Sequence, residues 1–424
     1  MKATLRIRPV DLQRKGGMPS APVGWAVALL LAVGMCPVQA QSFRESLRAA
    51  ERADAQFAAA LAAVSNRKVQ VQEAKAAFYP SASVNYSRSD LFAGSAGAGY
   101  GLTVTQPLLS YDRYLTLQQA DPTAVLALVE ERQARAELSL RVFKAMAEII
   151  RSREGIRALE VQIEGLETQV KRARRMRELG QGTITEVSDF EVRLAVAEAN
   201  RINQRSALEA AQRTFSLLTG LRSDPQQISV ADAAEAPTVG EAEFVARVRD
   251  GANSVVSSRQ SIRLQEIAVK RVRAEFVPQL SAVASTGRAA GSANNSSDAR
   301  VGITFSAPLG ASQWYGNQKA ATDLLRAQES FRFAQESATS DALRLLRSAA
   351  ALTSEVAIRK RAVESARLAL EGNIKSYQGG VKSNIDVVTS YQNLTDTEVA
   401  LANSEILRVE ALLNLKLLDP ASAP

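Results

Sequence analysis

The sequence contains two related octapeptides, AKAAFYPS at residues 74–81 and VRAEFVPQ at residues 272–279. Each octapeptide ends a long helical pattern with an aromatic residue, one further residue and a proline. Because proline disfavours helical geometry at the residue before it, a helix should end in both places. The second octapeptide lies about 198 residues after the first, which indicates an internal duplication.

Two more pairs of landmarks follow in the same order. LTVTQPL at residues 102–108 corresponds to ITFSAPL at 303–309, and LGQG at 179–182 corresponds to QGGV at 378–381. Three matched landmarks predict that the chain is two copies of one unit. We place the first repeat at 41–220, a connector at 221–240, the second repeat at 241–419 and a short tail at 420–424.

The N-terminus has the pattern of a cleaved signal peptide at residues 1–40. A basic stretch precedes an apolar run at residues 23–35, and small residues surround a cleavage site after Ala40. The run is shorter than the roughly 20 residues that span a bilayer. Cys36, the one cysteine, lies in this leader, and Met35 before it does not fit a lipoprotein signal. We therefore expect a mature chain that begins at Gln41, has no thiol and leaves the cytoplasm.

Each repeat follows the same plan, in which a helix leads into two short strands and then into a long helix that turns back as a second helix. The strands alternate apolar and polar residues, so each should have one apolar face. We predict strands at 81–88 and 100–106 in a hairpin at 80–107, and at 280–286 and 300–306 in a hairpin at 278–308. We predict an entry helix at 43–78, outgoing helices at 111–178 and 313–377, and return helices at 186–218 and 385–417. Asp121 and Pro122 predict a break in the first outgoing helix, with the aspartate as its cap.

Four amphipathic strands cannot close a barrel by themselves. An open sheet in lipid leaves backbone groups unsatisfied, at several kcal/mol each. Three copies would supply twelve strands, within the range of outer-membrane barrels. The long helices, which are too polar for lipid, would then extend into the periplasm. The fold prediction is therefore mainly α with a small β part, in which long helical hairpins adjoin strands shared between subunits.

The signal peptide, the tandem repeat, the proline that ends each entry helix and the paired glycine turns resemble the TolC outer-membrane efflux family. The resemblance extends from Ser42 to about Asp419. It implies a homotrimer in the outer membrane, with a twelve-stranded transmembrane β-barrel and a large periplasmic tunnel of helices. It also implies a periplasmic adaptor (a membrane fusion protein) and an inner-membrane transporter as partners. Drugs and type I secreted polypeptides both remain open as cargo, although residues 106–113 are slightly more similar to the secretion branch.

The two glycine turns are the richest candidate sites. Glycine permits the chain reversal, and polar residues can cap each return helix, so local structure alone explains much of both motifs. The resemblance implies that these tips contact the adaptor through Leu179, Gly180, Gln181, Gly182, Gln378, Gly379, Gly380 and Val381. It places Glu186, Tyr377, Lys382 and Asp386 at the tunnel entrance. Thr389 stands where a second acidic residue is often found, so the charge selectivity of the entrance stays open.

Composition argues against other classes of function. The chain has no histidine, so it offers no imidazole base or imidazole metal ligand, and we predict no catalytic, cofactor or metal site. The basic run at residues 171–177 is expected to be a solvated or partner-facing surface near a tip, and we expect no nucleic acid partner. Five tyrosines near the strand ends could form an aromatic belt at the lipid interface or pack in the ordinary way: Tyr79, Tyr86, Tyr100, Tyr111 and Tyr114. The alternative function is a periplasmic adaptor or coiled-coil scaffold, which would have one hairpin and no lipid-facing strands.

Overall fold

The computed structural model describes residues 41–89, 97–233, 239–275, 277–290, 297–306 and 311–422. The predicted signal peptide lies outside the described residues, as do the tips of both predicted strand hairpins, Pro308, part of the connector and the last two residues of the tail.

The described elements combine long helices with one small sheet. In chain order the helices are α1 (Phe43–Ala53), α2 (Ala55–Ala76), α3 (Tyr111–Gln118), α4 (Ala120–Glu178), α5 (Ile184–Thr219), α6 (Glu241–Gly251), α7 (Asn253–Ala274), α8 (Ala311–Gln378) and α9 (Asn384–Leu418). The strands are β1 (Ser81–Ser89), β2 (Gly97–Leu109), β3 (Gln279–Ala290) and β4 (Ser297–Ser306). With 59 residues in α4 and 68 in α8, these two helices are about 90 and 100 Å long. The described part of the chain contains no helix with the length and apolar character needed to cross a membrane.

The prediction of one continuous entry helix at 43–78 is wrong, because α1 and α2 are separated at Asp54. The backbone of Asp54 is extended, and its carboxylate accepts a hydrogen bond from the Phe57 N–H at 2.9 Å, which caps α2. The second repeat breaks at Ala252, between α6 and α7. The bounds of α6 and α7 repeat those of α1 and α2 exactly 198 residues further along the chain, so the break belongs to the repeated unit.

A break near Asp121 and Pro122 is confirmed, but Asp121 does not cap the helix. The interruption lies at Gln119, between α3 and α4, and Asp121 falls in the first turn of α4. Proline has no N–H to donate to the carbonyl of Gln118, whereas Thr123 still donates to the Gln119 carbonyl at 3.1 Å. The loss of this one hydrogen bond explains why the helical pattern is interrupted at one residue and then resumes.

The four strands form an antiparallel sheet in the order β1-β2-β3-β4. The registers place Tyr86 opposite Tyr100, Val104 opposite Ala284, and Ala284 opposite Val301. Directly opposed residues lie on the same face, so the alternate apolar positions of β1, β2 and β4 share one face. The predicted alternation is confirmed for these three strands. In β3 it is incomplete, because Thr286 lies on the apolar face opposite Leu102 and Val283 lies on the polar face opposite Thr105.

The helices have a consistent order of neighbours. Towards the sheet, α4 packs between α2 and α7, and α8 packs on the far side of α7. Towards the hairpin tips, α4 packs between α5 and α9, and α8 packs on the far side of α9. In both parts α8 is therefore the last helix on one side, and α2 or α5 is the last on the other.

The described residues form three large apolar cores and a small one, and two of the large cores join the repeats. One of these two joins α1, α2, α4, α5 and the connector to α9, and in it the rings of Phe43 and Phe143 meet edge to face at 6.4 Å. The other lies nearer the tips and joins α4 and α5 to α8 and α9. Each of these cores draws on residues from both repeats.

Candidate functional site

Both tip turns reverse the chain through a glycine in the left-handed conformation. Gly180 has φ of 73° and Gly380 has φ of 72°. The Gln181 N–H donates to the Met176 carbonyl at 2.8 Å, and the Val381 N–H donates to the Ser376 carbonyl at 3.0 Å. This is the Schellman pattern, in which the residue after the glycine closes the end of the helix. The prediction that glycine permits the chain reversal is confirmed at Gly180 and Gly380.

The two acidic residues predicted at the entrance cap the return helices. Glu186 accepts a hydrogen bond from the Thr183 N–H at 3.3 Å, while Thr183 Oγ1 accepts one from the Glu186 N–H at 3.2 Å. Asp386 accepts hydrogen bonds from the Ser383 N–H and from the Ser383 hydroxyl, both at 2.9 Å. These hydrogen bonds from Ser383, aided by the Lys382 charge, hold the pKa of Asp386 below its usual value. Lys382 Nζ lies 3.5 Å from the Asp386 carboxylate.

Tyr377 joins the second hairpin to the first. Its ring meets the Phe190 ring edge to face at 6.2 Å, and the Arg172 guanidinium lies 5.7 Å from its centroid. Burial raises the pKa of the Tyr377 hydroxyl, and the negative charge of Glu186 adds to this. The structure therefore brings Tyr377 and Glu186 together from different repeats, whereas Lys382 and Asp386 pair with each other within the second tip.

Neither Phe190 nor Arg172 was predicted to contact Tyr377. Phe190 has the spacing of a core residue, and Arg172 belongs to the basic run, but neither pattern identifies Tyr377 as the partner. A further link joins the tips, because Asn384 Nδ2 donates to Asp189 Oδ2 at 3.3 Å. Only the packing of the two hairpins shows these pairs.

The tip surfaces are open to solvent. All eight residues predicted to contact an adaptor are exposed except Gly182, which is half-buried. Leu179 is 63% exposed and Val381 is 83% exposed. Beside them, Ile184 and Ile385 are also exposed. Such apolar groups at the end of a polar hairpin are typical of a contact surface.

The sheet also leaves its apolar face uncovered in a single chain. Val84, Val301 and Phe305 are 76%, 87% and 67% exposed. The five tyrosines of the possible belt are exposed too, and the rings of Tyr111 and Tyr114 stack at 6.0 Å. Both interpretations stay predictions, because the five side chains are exposed in the single chain but Tyr111 and Tyr114 pack against each other.

Comparison with known proteins agrees with this architecture. A family model described as outer membrane efflux protein matches residues 46–221. The protease secretion protein PrtF of Dickeya chrysanthemi is 25% identical over 74% of this chain and 71% of its own length. The alkaline protease secretion protein AprF of Pseudomonas aeruginosa is 26% identical over 69% of this chain and 63% of its own length. The crystal structure of the Vibrio cholerae outer membrane protein VceC superposes with a TM-score of 0.70 at 17% identity, over 90% of this chain and 96% of that one.

The mainly helical fold with a small antiparallel sheet, the matched family model and the relatives all agree with the resemblance seen in the sequence. The two hairpins and four strands are also features that an adaptor or coiled-coil scaffold would lack. The match of the family model to residues 46–221, the two secretion relatives and the fold together support the assignment of this chain to the TolC family of outer membrane efflux proteins.

Proposed function

We propose that three copies of this outer-membrane export channel subunit close a twelve-stranded barrel, continuous with a periplasmic tunnel of helices. One observation carries the proposal. In the single chain, both the described sheet and the described helical layer end in elements that lack a neighbour on one side. β1, α2 and α5 lie at one end, and β4 and α8 lie at the other.

The sheet needs a partner on both sides. Among the described strands, β1 and β4 each pair along one edge only. In lipid an open edge leaves its N–H and C=O groups without partners, at several kcal/mol each. Pairing of β4 with β1 of the next copy removes every edge once the ring closes. Three copies give twelve strands, and the exposed apolar face then meets lipid.

The outermost helices carry exposed apolar side chains that such a ring would cover. On α5, Val192 and Ile202 are exposed, and on α8, Phe333 and Leu368 are about 70% exposed. Burial of one large apolar side chain contributes roughly 1.5–3 kcal/mol. Contact of α8 with α5 and α2 of the neighbouring copy would therefore favour assembly as well as closure.

The tips are proposed as the docking site for a periplasmic adaptor, which links the channel to an inner-membrane transporter. Support comes from the exposed apolar groups there and from the contact of Tyr377 with Arg172 and Phe190. In this proposal Glu186, Tyr377, Lys382 and Asp386 lie at the tunnel entrance. The contacts of Tyr377 with Phe190 and Arg172, and the hydrogen bond from Asn384 to Asp189, hold the two hairpins in one arrangement until an adaptor binds.

Secreted polypeptides are proposed as the cargo. Two relatives, PrtF and AprF, are named as protease secretion proteins, and residues 106–113 favour the same branch. Expression in a host that lacks its own channel of this type, together with a type I transporter and adaptor, tests this point. Export of the polypeptide but not of small dyes supports it, and export of dyes alone contradicts it.

Purification from outer membranes in mild detergent tests the channel itself. Light scattering should give three chain masses per particle, and planar bilayers should show conductance steps. The strands should also make migration in gels depend on heating. A monomer without conductance would overturn the proposal.

A further inference from the structure

The polar face of the sheet has one charged residue among the side chains that the structure describes. Ser83 of β1 lies opposite Thr103 of β2, which lies opposite Ser285 of β3. Ser285 in turn lies opposite Arg300 of β4, so these residues form one row across the sheet. The other described side chains on this face belong to serine, threonine, asparagine, glutamine, proline and valine. Arg300 is therefore the one described source of charge on the polar face.

The surroundings of Arg300 are open to solvent. The residue itself is exposed. Gly302 lies two positions further along β4 on the same face, and a Cβ added there would meet nothing within 4 Å. Arg300 is therefore accessible to ions that move along the polar face.

Each chain supplies this arginine only once. When residues 102–108 are aligned with 303–309, the position equivalent to Arg300 in the first repeat is Gly99. In the proposed barrel the apolar face meets lipid, so the polar face lines the lumen. Three copies would then place three arginines in the lumen at one level, a step that rests on the proposed function.

The size of the barrel decides whether these charges can influence a passing ion. A ring of twelve strands, each about 4.8 Å from the next and tilted by about 40°, has a radius of about 12 Å at the backbone. An arginine side chain extends roughly half of that distance towards the axis. The axis would then lie within about one Debye length of the guanidinium groups, which is about 8 Å at 0.15 M salt.

One acidic residue shares the face with Arg300. Asp298 precedes Arg300 by two residues on β4, and its position opposite Gly287 places it in the neighbouring row. Two residues along a strand are about 7 Å apart. Substitutions of both residues therefore separate their contributions.

We propose that Arg300 forms a three-fold ring of positive charge in the lumen of the barrel, which favours the passage of anions over cations. Rings of arginine or lysine side chains select anions in other pores, and substitutions on the lumen side of a barrel alter its selectivity. The ring is distinct from the residues proposed at the tunnel entrance, because α4, about 90 Å long, separates the sheet from the hairpin tips.

Reversal potentials of the full chain in planar bilayers under a KCl gradient test this inference. They give the ratio of chloride to potassium permeability. The test variants are Arg300→Gln and Arg300→Glu, and Arg300→Lys keeps the charge. The control, Arg222→Gln, removes an exposed arginine from the connector, which packs against the middle of α4. Light scattering checks that every variant keeps the oligomeric state of the unmodified chain.

Arg300→Gln should lower the ratio of chloride to potassium permeability about twofold, and Arg300→Glu should lower it further. Arg300→Lys and Arg222→Gln should leave the ratio unchanged. Because salt screens the ring, the effect of Arg300→Gln should fade at about 1 M KCl, where the Debye length is about 3 Å. In an Asp298→Asn background, Arg300→Gln should still shift the ratio in the same direction.

Three results would overturn the inference: an unchanged ratio in Arg300→Gln, an equal shift in Arg222→Gln, or a shift that requires Asp298→Asn. Trimers that conduct without the expected shift would leave the proposed channel intact. Absence of conductance from the unmodified chain would instead contradict the proposed function, so the two failures are separable.

Discussion

Gly165 of α4 lies against the ring of Tyr391 of α9, and an added methyl group tests how tightly the two hairpins pack. A Cβ built at Gly165 would lie 2.2 Å from Tyr391 Cε1. The Tyr391 ring is buried in the tip core and is 7% exposed, so it cannot simply swing into solvent. We expect Gly165→Ala to force the two helices apart.

Two opposing effects determine how much Gly165→Ala changes the free energy of unfolding. Alanine in place of glycine inside a helix stabilises it by about 1 kcal/mol. Overpacking a core costs typically about 1–3 kcal/mol. Gly372 of α8 provides the matched control, because a Cβ there meets nothing within 4 Å. Gly372→Ala gains the same helix propensity without a clash, so the variants should differ by about 1–3 kcal/mol in unfolding free energy.

Urea titration followed by far-ultraviolet circular dichroism measures this difference. All samples need one protein concentration, because dissociation of an oligomer shifts the midpoint. A second measurement isolates the contact: in a Tyr391→Leu background, Gly165→Ala should cost far less, which gives a coupling energy of about 0.5–3 kcal/mol. Equal midpoints for the two alanine variants, or no coupling, would refute the packing argument.

Three further predictions concern single side chains. Asp54→Ala removes the cap of α2 and the partner of Arg141, and should cost roughly 1–3 kcal/mol in urea titrations. Burial pushes the pKa of Asp54 up, but hydrogen bonds from Arg141 and the Phe57 N–H outweigh it, so the net pKa lies below the ordinary value of 3.8. This stabilisation should be present above pH 3.8 and be lost as pH falls through the lower, folded-state pKa; equal pH profiles for Asp54→Ala and the unmodified chain would contradict it. Tyr377→Ala should raise single-channel conductance in planar bilayers, whereas Tyr377→Phe, which keeps the ring contacts, should not; a rise in both would mean that the hydroxyl matters instead. Thr183→Ala should destabilise the start of α5 by about 1 kcal/mol, visible as faster local hydrogen exchange, and Thr185→Ala serves as the control.

Local sequence signals were enough to predict the order of helices and strands that the two repeats share. The proline after each entry helix, the alternation in the strands and the glycine at each tip depend on a few neighbouring residues, and the described structure agrees with all three. The expectation that polar residues cap each return helix is met at Thr183 and Ser383. Duplication strengthened each signal, because the same feature appeared twice.

The interruptions within helices were harder to predict. Asp54 is a good capping residue, but its counterpart Ala252 has no side chain that can accept a hydrogen bond, and both positions break. Sequence patterns therefore could not identify a break common to both repeats. The packing of α6 against both α7 and α8 accompanies the break at Ala252.

Thus the sequence by itself determined that the chain is duplicated, where its strands and hairpins lie, and which family it resembles. Tertiary structure alone decided that Tyr377 meets Arg172 and Phe190 and that β2 pairs with β3. The physical reason is distance along the chain. Caps, turns and alternation are set by nearby residues, whereas contacts between the repeats join residues well over 100 positions apart and depend on the packing of every helix between them.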